Sequence, residues 1–359
     1  MATYHLDRLN VLLVEDNGYI RNILYDMLNH LGVGHIATAE SGKDAIEFLK
    51  LLNERPQAAG VLGIDIIISD LLMSPIDGLL FLEWVRNRKD SPNRFVPFIM
   101  LSGAADIGYV TQARDKGVTE FLAKPFSAQS VWEKLAQVIE HPRPFIATQA
   151  YFGPDRRRQR RGPPEAGERR VRTDDDITWV YSADQVVKPR KPSDVWVFQL
   201  PNNLRDKVAG VGAKGPPELP QDVLEQAEEA LQREAQDFAD WAINYVKQLH
   251  KAIQDARDEP ERRRSHFDHI NMLAHELRGQ GGTFGYPLIT VFAKSLYDFT
   301  QPGCREDDDA VEVVKAHADA MRAVIRDRVK GDGGKVGKDL YKGLQAAIKK
   351  YSRDNQEIG

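Results

Sequence analysis

Between Asn10 and about Ile139 the sequence alternates five times between a short, largely β-branched apolar run and a longer stretch with apolar residues at helical spacing. VLLVED precedes a helical pattern from Tyr19 to Leu31, and HIATAE precedes one from Lys43 to Leu52. DIIISD, FVPFIMLSG and TEFLAKPF each precede a further helix-like segment. Strands joined through helices run parallel, and a parallel sheet needs helices over both faces. An α/β doubly wound, five-stranded parallel domain is therefore expected over residues 1–141. Ala58 to Gly63 reads as a lengthened loop before the third strand.

The remaining chain is long enough for further domains. Residues 142–220 turn Pro- and Arg-rich around GPDRRRQRRGPPEAGERRVR, a composition that buries little apolar surface and predicts a largely flexible basic linker. Within it DITWVYS and SDVWVFQLP read as isolated short strands that could dock on a neighbouring domain. Residues 221–359 are helical almost throughout: Val223 to Asp255, Arg264 to about Gly282, Pro287 to Phe299, Asp308 to Val329 and Gly337 to Tyr351. An all-α bundle is the expected packing.

The formal net charge of -4 is close to balanced and names no partner. The single cysteine, Cys304, excludes an intramolecular disulfide framework and suits a reducing compartment. No apolar run approaches the roughly 18 residues that span a bilayer, and MATYHLDRLN lacks a secretory core, so a cytoplasmic chain without membrane insertion is expected. The arginines of Arg156 to Arg161, with Arg169, Arg170 and Arg172, could contact phosphates. Without a helix-turn-helix pattern or stacking aromatics they read as a solvated linker, and nucleic acid is not an expected partner. DGGKVGK lacks the first glycine, the hydroxyl residue and the strand of a nucleotide loop; a flexible turn is expected there.

Polar residues at the carboxyl ends of a doubly wound sheet converge on one crevice. Glu15 and Asp16 end the first strand and Asp70 the third, an acidic cluster suited to Mg²⁺. Ser102 closes the fourth strand and Lys124 the fifth. Such a set can transfer a phosphoryl group to Asp70, with Lys124 and a metal neutralising its oxygens and Ser102 donating a hydrogen bond.

Glu15-Asp16, Asp70, Leu72-Met73, Asp77-Gly78, Ser102-Gly103 and Lys124-Pro125-Phe126 together resemble the receiver domains of response regulators, which have a flavodoxin-like fold. The resemblance implies that Asp16, Asp70 and the Leu72 carbonyl hold Mg²⁺, with Glu15 acting through water. It also implies that a sensor histidine kinase or hybrid kinase supplies the phosphoryl group. Pro75 stands one residue later than the family's usual proline, and Phe121 occupies a switch position often filled by tyrosine.

In the helical half, about 100° per residue places Ile270, Leu273, Ala274 and Leu277 on one face of HINMLAHELRGQGGTFG. His275 falls on the other side with Asn271, Arg278, Gly279 and Gly282 and should face solvent. The glycines clear the surface, and Arg278 could pair with a phosphoryl oxygen. His275-Glu-Leu277-Arg278-Gly279 followed by Gly285 resembles histidine-containing phosphotransfer domains, with Arg278 where lysine is usual. That resemblance implies a phosphorelay role for His275 with other receiver domains as partners. No ATP-binding motif of a kinase accompanies it, so no enzyme activity of that kind is expected. The alternatives are a receiver-gated interaction module whose helical half is not phosphorylated, and an output enzyme whose activity leaves no motif in the sequence.

Overall fold

The computed structural model describes residues 2–55, 63–103, 107–124, 126–156, 177–181, 189, 191, 193–213, 215, 217–282 and 284–353. Most of the loop expected at Ala58 to Gly63, and the arginine run beyond Arg156, lie outside them. Two compact units divide the chain, residues 1–230 and 231–359.

In the first unit five β/α pairs follow in order: β1 (Asn10–Val14), α1 (Gly18–His30), β2 (His35–Ala39), α2 (Gly42–Glu54), β3 (Ile66–Asp70), α3 (Gly78–Asn87), β4 (Phe98–Gly103), α4 (Ile107–Lys116), β5 (Glu120–Lys124) and α5 (Ala128–Glu140). The strands form one sheet in the order β2-β1-β3-β4-β5, every pair parallel. β3 is buried along its whole length, as helices on both faces require. Short polar side chains open the helices. Asn17 caps α1, Ser41 α2, Asp77 α3 and Ser127 α5, each accepting from an amide of the first turn.

The strands expected to stand alone are instead paired. β6 (Phe145–Ala147), β7 (Phe152–Pro154), β8 (Ile177–Val180) and β9 (Val195–Phe198) form a second sheet in the order β7-β6-β9-β8. The pairs β6/β7 and β6/β9 are antiparallel, and β8/β9 is parallel. Its buried side, Phe145, Ala147, Phe152, Val180 and Phe198, packs against Phe95, in the connection before β4. Averaging over a Pro- and Arg-rich stretch had hidden these apolar positions, whose cover comes from a distant part of the sequence. Phe95 meets the rings of Phe145, Phe152 and Phe198 at 5.1, 5.2 and 5.2 Å.

Arg86 is fully buried beneath this sheet and donates to the carbonyls of Gly117 and Arg94 and to Thr119 Oγ1, which disperses its charge over polar oxygens. Arg94 lies over the Phe152 ring. Arg156 pairs with Asp115 rather than standing in solvent alone. A short helix, α6 (Asn203–Ala209), is strapped to the receiver by Arg205 with Glu140 and Lys207 with Asp65. The chain's start joins the same region: Ala2–Thr3 pairs in parallel with Pro217–Glu218, and the His5 amide donates to Val208.

The remaining helices are α7 (Gln221–Asp258), α8 (Arg263–Gln280), α9 (Pro287–Phe299), α10 (Asp308–Arg326) and α11 (Gly334–Arg353). The unit boundary falls inside α7, not at the composition change near residue 220. α8 packs on α9, α9 on α10 and α10 on α11. α11 starts earlier than expected, so Gly334, Lys335 and Val336 of DGGKVGK belong to the helix and not to a flexible turn before it. No helix among the described residues is long and apolar enough to cross a membrane.

Candidate functional site

The carboxyl ends of β1, β3, β4 and β5 bring Glu15, Asp16, Asp70, Ser102 and Lys124 to one side of the sheet. Lys124 Nζ lies 2.9 Å from Asp70 Oδ1 and 3.1 Å from Glu15 Oε2, and all three side chains are at most 7% exposed. At such burial the ammonium is held by charge compensation, since none of the three could be desolvated alone at tolerable cost. Ser102, also buried, follows the residue that pairs with Asp70 and stands opposite Ala123.

One carboxylate oxygen each from Glu15, Asp16 and Asp70 lies within 4.8 Å of the others. Burial, then the charge of Asp70, raises the Asp16 carboxyl above its usual 3.8; Lys124 and the Ser74 amide oppose the shift. Asp16 Oδ1 is buried and has no hydrogen-bond partner among the described residues. An orphaned acceptor within three hard oxygen donors fits a small divalent cation such as Mg²⁺. Leu72 sits in the β3–α3 connection and Phe121 is half-buried against the core, opposite Met100.

Two further residues build this crevice, and sequence reading passed over the first of them. Asn17 is buried and accepts from the amides of Tyr19 and Ile20, fixing the turn after Asp16. Gly78 lies so close to β3 that an added Cβ would fall 2.1 Å from the Asp70 carbonyl oxygen. Asp77-Gly78 carried the signal for the second, since only glycine permits that backbone approach.

In the helical unit, Ile270, Leu273, Ala274 and Leu277 are buried as the helical wheel requires. His275 and Gly279 are part-exposed, but Arg278 is buried, against expectation. The reason is Tyr297 of α9, whose ring lies 4.4 Å from the Arg278 guanidinium carbon. Arg278 Nη2 is 3.1 Å from His275 Nδ1, and the His275 and Tyr297 rings are 5.7 Å apart. The glycine that α8–α9 packing demands is Gly281, where a Cβ would meet the Tyr286 carbonyl oxygen at 2.7 Å. Of the other histidines, His317 is fully buried between Val313 O and Ser295 Oγ, and His266 faces Glu259.

The part of the chain that carries the acidic crevice is similar to known proteins. The family model of the response regulator receiver domain matches residues 11–136. The "Probable chemotaxis protein CheY" of Rhizobium etli is 31% identical over 134 residues, 37% of this chain and 92% of that protein. The chemotaxis protein CheY of Pseudomonas aeruginosa is 27% identical over 132 residues, covering 37% and 97%. A crystal structure of Vibrio cholerae CheY4 aligns at 28% identity and a TM-score of 0.31, covering 36% of this chain and 98% of that one. With its parallel sheet and its acidic crevice beside a buried lysine, the chain belongs to the response regulator receiver family of two-component signalling.

Proposed function

We propose that this protein is a phosphorelay component whose receiver accepts a phosphoryl group on Asp70 and whose helical half relays phosphate through His275. In this reading residues 1–141 form the receiver, 142–220 a connecting region and 221–359 a phosphotransfer-like domain. The observation that carries it is the Lys124 ammonium within 3.1 Å of both Asp70 and Glu15 in a nearly closed pocket.

The donor is a phosphohistidine of a partner sensor or hybrid kinase. An Asp70 oxygen attacks phosphorus, the P–N bond breaks, and the imidazole leaves with the electron pair and takes a proton from water. Lys124 offsets the charge on the transferring oxygens, and Ser102 donates its hydroxyl proton to one of them. Glu15, Asp16, Asp70 and the Leu72 carbonyl would hold Mg²⁺, which when bound supplies further charge neutralisation. Once the acyl phosphate forms, Lys124 and Ser102 lean toward it, and Phe121 on β5 is placed to follow.

A small-molecule phosphodonor with Mg²⁺ tests the receiver. Intact mass should show one phosphoryl group on the wild type and none on Asp70→Asn; equal labelling of both would refute the assignment. For the helical half, the Arg278–His275 hydrogen bond favours a second reading, a receiver-gated interaction module in which both side chains are structural. Label passed from a phosphorylated partner receiver to Asp70→Asn protein separates the two. Phosphotransfer gives an acid-labile, base-stable label that His275→Gln loses, and an interaction module gives none.

A further inference from the structure

Every hydrogen-bonding group of a guanidinium is a donor. Where Arg278 Nη2 approaches His275 Nδ1 at 3.1 Å, that ring nitrogen must therefore accept. An accepting Nδ1 carries no proton, so the ring is neutral and its proton sits on Nε2. Arg278 is held in this position from its other side, buried under α9 with Tyr297 stacked on the guanidinium at 4.4 Å.

We propose that Arg278 is a tautomer latch, a positioning residue that keeps the resting His275 ring protonated on Nε2 and so withholds both nitrogens from attack. Nδ1 has its lone pair directed at the guanidinium, and the Nε2 electron pair belongs to the aromatic ring. The latch rests on the phosphotransfer reading for its consequence but not for its existence. The dianionic phosphoryl group of an aspartyl phosphate, carried in by a partner receiver, is a stronger acceptor for a guanidinium than a neutral imidazole. Drawing Arg278 toward it lets the ring proton move through water from Nε2 to Nδ1. Nε2 then attacks phosphorus, the N–P bond forms, the P–O bond to aspartate breaks, and the carboxylate leaves with the electron pair. Loss of the Nδ1 proton to water leaves an acceptor that Arg278 can engage again. A histidine gated this way ignores water and reacts when a phosphoryl group is presented.

Lysine at this position keeps a positive charge for the phosphate but lacks the planar fork that reaches Nδ1 while stacked on Tyr297. Arg278→Lys therefore separates latch from charge, and Arg278→Met removes both. In the full chain labelled with ¹⁵N-histidine, long-range ¹H–¹⁵N spectra should show wild-type His275, assigned through His275→Gln, with a pyridine-type Nδ1 and a pyrrole-type Nε2. Both Arg278 variants should lose the fixed pyridine-type Nδ1 signature. A protonated Nδ1 in the wild type, or the same signature in all three proteins, overturns the latch. In single-turnover transfer from a phosphorylated receiver, Arg278→Lys should accept label about tenfold faster than the wild type, the scale of one hydrogen bond to a charged group. An unchanged or slower rate overturns the gate. Absence of label from every variant, with the wild-type tautomer as stated, instead overturns the phosphotransfer reading and removes the gate with it.

Discussion

Replacing Lys124 with methionine keeps most of the side-chain volume but withdraws the ammonium from between two carboxylates that are 7% and 2% exposed. At 2.9 and 3.1 Å, and an effective dielectric near 20, each attraction is about 5–6 kcal/mol. Desolvation of the three groups offsets most of that, so the net effect is the one measured when a buried pair loses one partner, about 3–5 kcal/mol. For a unit of this size the melting temperature should fall by about 6–20 °C. Calorimetry of the full chain in a chelator reads the loss, and hydrogen exchange in β1, β3 and β5 assigns it to the receiver. Mg²⁺ should restore part of the stability, because a cation on the same oxygens replaces the missing charge. A loss below about 1 kcal/mol, insensitive to Mg²⁺, would mean that water already screens these carboxylates and would refute the reasoning.

Four further outcomes are expected. The Asp16 carboxyl is raised above 3.8 by burial and by Asp70, so its ionisation weakens the metal-free fold as pH rises through the folded value, and the penalty vanishes below 3.8. Asp16→Asn should thus melt higher than the wild type at neutral pH without metal, yet gain less from Mg²⁺ in the same thermal scan. Burial lowers His317 below 6.5, so its contribution is complete above 6.5 and declines as pH falls through the folded value; His317→Gln should flatten that acid-side loss in the helical unit's melting profile. Gly281→Ala pushes a methyl to 2.7 Å from the Tyr286 carbonyl and 2.8 Å from Ile289 Cβ. An overpacking loss of about 1–3 kcal/mol should appear in denaturant unfolding of the helical unit alone. Phe95→Ala removes three ring contacts from a half-buried position; about 2–3 kcal/mol, less than a fully buried ring, should surface as faster hydrogen exchange in β6 and β9.

How much could be read from the residues alone follows from the distance over which each feature is decided. The receiver strands, and the placement of Glu15, Asp16, Asp70, Ser102 and Lys124 at the ends of four of them, were legible because each strand carries its own apolar run and those four end on or beside a polar candidate. Ile270, Leu273, Ala274 and Leu277 were legible for the same reason, since helical spacing is local. The second sheet was not: Phe145, Phe152 and Phe198 acquire a core only when Phe95 arrives from the receiver. Arg278 also looked like a surface cation because Tyr297, which buries it, belongs to the next helix. Arg86 gave no signal at all; its partners Gly117 and Thr119 lie about thirty residues onward.

The parallel pairing of Ala2–Thr3 with Pro217–Glu218 has a bearing on how the protein is made. Ala2–Thr3 must wait for residues near the end of their own unit before this pairing can form. The five receiver β/α pairs are all synthesised by residue 140, but residue 218 follows only after 78 more peptide bonds. At about 5–20 residues per second this is a delay of roughly 4–16 s. During that interval Phe95 gains the rings of Phe145 and Phe152 early and that of Phe198 only later, and Ala2–Thr3 lacks its partner strand to the end. A nascent receiver therefore spends seconds with its second-sheet surface open, the period in which a chaperone or a neighbouring chain has access to it.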